Sequence, residues 1–243
     1  MKKLLVCIPV YNENQDIKKN IPILLNFMKE RMSKYDWNVL ICNNGSTDNT
    51  LDVSEQLTRE NERLRVANIT EKGRGFALKT VWLENKADIY SYMDIDLSTN
   101  LDNFPDLISA FDEGYQIAIG SRLLPYSKIK RSFKREILSR GYNLLIKLLF
   151  WNRFSDAQCG FKAISSEVRS VVVPFIQNRN WFFDTELLLL SERKGYKIKE
   201  IPVGWIEDMG SKVKIFRTIY EDIAGLIRLR LSKTNWEIKI ERI

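Results

Sequence analysis

Apolar runs rich in β-branched residues recur along the first half of the chain, at KLLVCIPV (3–10), WNVLICN (37–43), LRVANI (64–69), DIYSYMDI (88–95) and YQIAIGS (115–121). Each has the length and the polar boundaries of a buried strand. Segments with helical spacing lie between them. In NQDIKKNIPILLNFMKERMS, Ile17, Ile21, Leu24, Leu25 and Met28 fall on one face, TDNTLDVSEQLTRENE opens on capping residues, and GRGFALKTVWLENK follows glycines. This alternation predicts an α/β fold with a parallel central sheet flanked by helices, whose ligands belong at the carboxyl ends of the strands.

Beyond Gly120 the pattern changes. A basic amphipathic stretch, YSKIKRSFKREILSRGYNLLIKLLFWNRF, is followed by DAQCGFKAIS, two helical segments, an extended YKIKEIPVGWIE and a last basic amphipathic helix in GSKVKIFRTIYEDIAGLIRLRLSK. No repeat or low-complexity linker divides the chain. The reading is one domain over residues 1–243, with a nucleotide-binding half at 1–120, a second half at 121–215, and a helix and tail at 212–243.

With 243 residues and 44% hydrophobic content the chain is long enough to bury a substantial core. Its formal net charge of +7 favours an anionic partner such as a nucleotide, nucleic acid or a phospholipid surface, among which charge alone does not choose. Cys7, Cys42 and Cys159 are too few and too scattered for a disulfide framework or a zinc site, which points to a reducing compartment. The chain has no histidine, so the commonest general base and the commonest transition-metal ligand are both missing. Chemistry must run on carboxylates, hydroxyls, lysine and arginine. The longest apolar run of the second half, LLIKLLFW at 144–151, is too short to cross a bilayer, so a membrane role would be peripheral.

Three predicted strand ends carry polar groups. In YSYMDIDLSTN, Asp94 and Asp96 sit two apart after an apolar run, where alternate residues of an extended segment face the same way and two hard oxygen anions suit Mg²⁺ or Mn²⁺ held with substrate phosphates. IPVYNEN places Pro9, Tyr11 and Glu13 at the end of the first strand, and CNNGSTDNT places Asn43, Asn44, Gly45, Ser46 and Asp48 at the end of the second. Singly, each of these loops is ordinary turn chemistry. Jointly they suit a base, a ribose and a metal-bound diphosphate.

The collinear series IPVYNEN, NNGSTDNT, KGRGFALK, MDIDLST, IGSR, REILSRGYN, DAQCGFK, FDTELL and IPVGWIEDMGSKV resembles family 2 glycosyltransferases of the GT-A fold. Within them it is most similar to the polyprenyl-phosphate branch, the dolichyl-phosphate glucose synthases first and the mannose synthases next. The resemblance spans roughly residues 3–215. It implies metal-dependent, inverting transfer of a sugar from a nucleotide diphosphate sugar to a lipid phosphate at the cytosolic membrane face. By that resemblance Asp94 and Asp96, with Ile95 between them, form the DxD motif that holds Mg²⁺ or Mn²⁺ against the donor diphosphate. Pro9, Tyr11, Glu13 and Asn43 line the base and ribose, and Arg74 lies near the phosphates. Arg122, Arg135 and Ser139 match the lipid-phosphate site of an acceptor half at 121–215, and Lys212 matches a basic residue beside the phosphates. Helical spacing independently sets Arg135, Ser139 and Asn143 on one face.

The sequence departs from the family at three places. Asn43 stands where many relatives are acidic, Ile206 where mannose synthases typically carry arginine, and Ser98 where they commonly carry glutamine. Asn can both donate and accept, so Asn43 does not select a base; Ile206 with DLST, DAQCGFK and WIEDMGSKV favours UDP-glucose as donor, with GDP-mannose second.

A phosphate monoester, with a second pKa of about 6, reaches the site as its own nucleophile, so the missing histidine fits a lipid-phosphate acceptor. A sugar-hydroxyl acceptor would instead need a carboxylate base, for which Asp156 or the pair Asp184 and Glu186 are the candidates. No recognised nucleic-acid-binding motif accompanies the net charge, so no nucleic-acid partner is expected. Basic residues Lys128, Lys130, Arg131 and Lys134 and the stripe Phe216, Ile219, Tyr220, Ile223, Leu226 and Ile227 suit a protein lying on an anionic membrane. The same stripe suits packing onto the domain. A chain ending soon after LRLSKTNWEIKIERI is expected either to be peripheral or to be followed by an anchor outside this sequence.

Overall fold

The structure is a computed structural model that describes residues 1–207 and 215–232. The strands are β1 (Lys3–Val10), β2 (Asp36–Asn44), β3 (Leu64–Ile69), β4 (Ile89–Met93), β5 (Ile117–Ser121), β6 (Lys128–Lys130), β7 (Phe161–Ser165), β8 (Ile198–Pro202) and β9 (Gly204–Ile206). Seven of them form one sheet in the order β3-β2-β1-β4-β7-β5-β8, and β6 pairs with β9 apart from it. Pairing is parallel except where β7 runs antiparallel to both β4 and β5.

All five runs read as strands are strands. The antiparallel β7 was not read from the pattern. FKAIS is short and carries Lys162 at its second position, which breaks an apolar run, yet Lys162 is fully buried because the Asp184 carboxylate pairs with it. The second half therefore shares the sheet of the first.

Helices α1 (Asn14–Arg31), α2 (Thr50–Glu60) and α4 (Phe104–Ser109) cover one face of the sheet, and α3 (Arg74–Glu84), α5 (Phe133–Phe150), α6 (Ser166–Val171), α7 (Phe183–Arg193) and α8 (Ile215–Leu231) cover the other. The alternation of β1 divides its side chains between two cores. Leu5 and Cys7 join the α3 side, and Leu4, Val6, Ile8 and Val10 join the α1 side. On α1 the predicted stripe is buried through Ile17, Ile21, Leu24 and Met28, with Leu25 at its edge. The three cysteines are free and buried.

Two readings need correction on the second face. The basic stretch is not all helix, because α5 begins only at Phe133 and Lys128–Lys130 form β6. The apolar stripe of the last helix does not pack as a unit. Asp222, Gly225, Leu226 and Leu229 face the domain, while Tyr220 and Ile227 are 75% and 53% exposed. Gly225 sets that rotation, since a Cβ there would fall 2.4 Å from the Phe182 ring. Phe216 lies outside the residues whose side chains are described.

Candidate active site

Strands β1, β2 and β4 run parallel, so their carboxyl ends meet at one edge of the sheet. The loops after β1 and β2 are stitched together there. Asn12 N donates to Ser46 Oγ at 3.0 Å, Thr47 N donates to Asn12 Oδ1 at 2.8 Å, and Asn14 Nδ2 donates to Asp48 Oδ2 at 2.7 Å. Ser46 and Asp48 thus bind loop to loop, and Gly45 turns the chain at φ 64°. Pro9 is buried inside β1 opposite Cys42, Tyr11 and Glu13 follow in the loop, and Lys72 Nζ donates to Tyr11 Oη at 2.6 Å while lying 4.4 Å from its ring centroid. Asn43 is buried at the end of β2. Its Nδ2 donates to Asn68 Oδ1 at 2.8 Å, and its Oδ1 is buried without a hydrogen-bond partner.

Asp94 and Asp96 stand on a turn just past β4, not on the strand itself, so alternation along a strand is not what sets their directions. The turn has its own fasteners. Leu97 N donates to Asp94 O at 3.2 Å, Ser98 N to Asp96 Oδ1 at 2.9 Å, and Asn20 Nδ2 to the Ile95 carbonyl at 2.9 Å. Leu97 sits at φ 50°, a left-handed conformation that a leucine holds only when its surroundings enforce it. The Ile95 side chain is buried in the core, so it offers a ligand backbone rather than side chain. Gly160 closes the other side of the turn, where a Cβ would come within 1.9 Å of Asp94 Oδ2.

Behind the turn lies a chain of alternating charges. Arg74 Nη2 meets Asp94 Oδ1 at 2.8 Å and its Nη1 meets Asp184 Oδ2 at 2.9 Å. Asp184 also accepts from Tyr92 Oη and pairs with Lys162 Nζ at 3.2 Å. Burial alone would raise the Asp184 carboxyl, but Lys162 and Arg74 hold it below its ordinary value. The sequence flagged Asp184 only as a base for another reaction, and Lys162 not at all. Its one signal was a lysine in an otherwise apolar five-residue run.

On the far side, Arg122 Nε and Nη2 grip Asp156 Oδ2 and Oδ1 at 2.8 and 2.9 Å, under the ring of Trp205. Burial pushes the Asp156 carboxyl up, yet Arg122 outweighs it and holds it at about 2. Arg135 and Ser139 share α5 with Asn143, whose Nδ2 donates to Ser139 O and whose Oδ1 accepts from Ala157 N, both at 2.9 Å. Arg135 Nε pairs with Glu207 Oε1 at 2.9 Å, and Glu207 Oε2 also accepts from Ser132 N at the start of α5. Glu207 was visible only as a letter of WIEDMGSKV. Arg131, read as a membrane-facing charge, is instead 4% exposed and paired with Glu136. Lys212 lies outside the described residues.

Among the described residues no three acidic, cysteine or histidine side chains form a metal cage. The protein therefore offers a carboxylate pair, Asp94 and Asp96, lining a shallow depression with Met93, Leu97, Ser98 and Thr99. That donor set fits a small hard cation which keeps water and takes its remaining oxygens from substrate phosphates.

Residues 5–172 match the family described as Glycosyl transferase family 2. The chain belongs to that family. This glycosyltransferase is 30% identical over 237 residues to Glycosyltransferase AglD of Haloferax volcanii, covering 97% of the chain but only 37% of that protein's length. It is 32% identical to Dolichyl-phosphate beta-glucosyltransferase ALG5A of Trichomonas vaginalis over 87% of the chain and 68% of the relative. Against the Dolichyl-phosphate beta-glucosyltransferase of Saccharomyces cerevisiae the identity is 29%, over 94% and 74%. Its fold matches glucosyl-3-phosphoglycerate synthase of Mycobacterium tuberculosis, solved with Mn²⁺, UDP-glucose and phosphoglyceric acid, at a TM-score of 0.68 over 94% of this chain and 79% of that one. At 16% identity that likeness concerns the fold, which is GT-A. Among the described residues no helix of the glycosyltransferase is long and apolar enough to cross a membrane.

Proposed function

We propose that this glycosyltransferase moves glucose, with inversion, from UDP-glucose to a polyprenyl phosphate of the dolichyl type, lying on the cytosolic face of a membrane. The observation that carries the reading is α5. Arg135 and Ser139 offer an anion clamp at its start, and Ile137, Leu144, Leu148 and the following Trp151 are 55%, 58%, 66% and 81% exposed. A lipid phosphate needs both features, a place for its charge and an apolar bed for its tail. The names of the dolichyl-phosphate relatives support the same acceptor and sugar.

Residues 1–120 form the donor half and 121–215 the acceptor half in this reading. Asn43, at the end of β2, lies on the base side in this reading, where its amide can both donate and accept. Pro9, Tyr11 and Glu13 complete the base and ribose side, the backbone of Ile95 borders the diphosphate, and Arg74 faces its charge. A divalent cation on Asp94 and Asp96, Mg²⁺ or Mn²⁺, would neutralise the negative charge that builds on departing UDP. A phosphate oxygen of the lipid forms the new bond to the anomeric carbon as the bond to UDP breaks. Arg122, Arg135, Ser139 and Lys212 hold the incoming phosphate. No general base is required, since the nucleophile is already ionised. A sugar-hydroxyl acceptor would need Asp156, Asp184 or Glu186 as base, and all three are buried in ion pairs, which lower the basicity of Asp156 and Asp184.

Lys128, Lys130 and Lys134 are exposed beside this helix and would hold the protein on anionic lipid, each contributing on the order of 1 kcal/mol. The test is incorporation of labelled glucose from UDP-glucose into a polyprenyl phosphate, run beside GDP-mannose and free glycan acceptors. Lipid-linked glucose is expected. Mannose transfer from GDP-mannose alone, or glucose on a glycan alone, would replace the reading.

A further inference from the structure

Arg74 is the first residue of α3 and its side chain is only 10% exposed. The guanidinium carbon lies 4.8 Å from the Tyr92 ring centroid and 4.9 Å from that of Trp181, so two aromatic faces bracket it. Its two prongs reach Asp94 and Asp184. Asp184 shares Arg74 with a second cation, because Lys162 Nζ stands 3.2 Å from its other oxygen in full burial. Part of the arginine's charge is therefore left for Asp94. Counting Asp96, three carboxylates face the two cations Arg74 and Lys162, so a divalent ion arriving alone would turn the local charge from one negative to one positive beside a fixed guanidinium. Oδ2 of the same carboxylate is backed by Gly160.

We propose that Arg74 is a placeholder cation, occupying the Asp94 carboxylate in the free protein and passing to the donor diphosphate when it arrives. Asp184 and the two rings keep the guanidinium within reach of both positions. Metal and nucleoside diphosphate consequently bind as a coupled pair, each weakly without the other. This rests on reading the Asp94–Asp96 turn as the metal and diphosphate site.

The test measures Mn²⁺ binding to the whole chain, by the electron paramagnetic resonance signal of free Mn²⁺, with and without UDP and with no sugar or lipid acceptor present. The parental protein should bind Mn²⁺ weakly alone and more tightly with UDP. Arg74→Gln should bind Mn²⁺ alone at least about tenfold more tightly than the parent, as expected when a positive charge leaves a carboxylate within salt-bridge distance. Coupling is reciprocal, so the gain in Mn²⁺ affinity on adding UDP should shrink in that variant. Arg74→Met, which keeps an apolar stem between the rings, should behave like the glutamine variant, whereas Arg74→Lys should stay near the parent. A general loosening of the site would lower metal affinity, so a gain marks the placeholder. Unchanged or weaker Mn²⁺ binding in folded Arg74→Gln and Arg74→Met overturns the proposal. If neither variant folds, the parent decides, and Mn²⁺ binding equally tight with and without UDP overturns it. Mn²⁺ that binds under no condition overturns both this and the donor-site reading, while failed glucose transfer with intact coupling overturns the acceptor reading alone.

Discussion

Asp156 holds Arg122 through three hydrogen bonds, two from the guanidinium at 2.8 and 2.9 Å and one from the backbone N–H at 3.0 Å. The carboxylate is completely buried, so its only compensation for lost hydration is this neighbour and its surroundings. A buried pair is costly to break from one side. We predict that Asp156→Asn lowers stability by about 3–5 kcal/mol, and that pairing it with Arg122→Gln costs less than the sum of the two. Thermal unfolding of the four proteins checks this, and strictly additive losses would contradict it. The folded carboxyl titrates at about 2 against an ordinary 3.8, so its contribution is complete above the ordinary value and is lost as pH falls toward 2.

Asp96→Ala should abolish glucose transfer and metal-dependent UDP binding, while the unfolding temperature stays within a few degrees of the parent. Asp96 is half-buried on a turn, and the bond its Oδ1 accepts from Ser98 N is local. Isothermal titration with UDP and Mn²⁺ reads the binding loss. Parental activity, or full activity in EDTA, would remove the metal from the mechanism.

The acceptor side should show two separable defects. Arg135→Ala removes a clamp and frees Glu207, so transfer to polyprenyl phosphate should fall by roughly a hundredfold or more, the loss of one charge-assisted contact to a phosphate plus a newly unpaired carboxylate, with UDP affinity unchanged. Charge reversal at Lys128 and Lys130 should weaken flotation with anionic liposomes yet spare transfer to a short water-soluble prenyl phosphate. Parental rates in Arg135→Ala would place the lipid phosphate elsewhere.

Asp222 gives the protein a pH dependence of the opposite sign to that of Asp156. Burial on the inner face of α8 pushes its carboxyl up to about 7, opposed by the 2.8 Å bond from Gln158 Nε2 and reinforced by Glu221 and Asp184. Its Oδ1 has no hydrogen-bond partner among the described residues. The folded protein therefore binds the proton more tightly than the unfolded chain, and stability falls as pH rises from about 4 toward 7. Asp222→Asn should stabilise the protein by on the order of 1–3 kcal/mol at pH 8 and by far less at pH 5. Equal effects at both values would show that the carboxyl titrates normally.

What could be read in the sequence was whatever depends on local pattern. The five strands of the first half and the stripe of Ile17, Ile21, Leu24 and Met28 follow from periodicity, and the strand-end loops follow from turn residues after apolar runs. The motif series carried the family. Partnerships across the sheet were not legible, because nothing local pairs Lys162 with Asp184 or Glu207 with Arg135. Exposure misled in the same way. Arg131 looks like its lysine neighbours until Glu136 is seen to cover it, and Ile227 looks like Leu226 until Gly225 fixes which side of α8 meets Phe182.

The reversed direction of β7 has a consequence for how such a protein can be taken apart. Because Phe161 pairs with Met93, the chain enters β7 at the edge where β4 ends, and the residue just before it, Gly160, lies against Asp94. Residues supplied by the second half thereby wall in a carboxylate supplied by the first, and Asp184 reaches back to Arg74 in the same manner. A cut at residue 120 would leave neither piece with a finished Asp94–Asp96 turn. Chimaeras that exchange the second half between relatives would have to match the Gly160 and Asp184 segments to the first half, so under the proposed function donor and acceptor specificity would not be interchangeable modules.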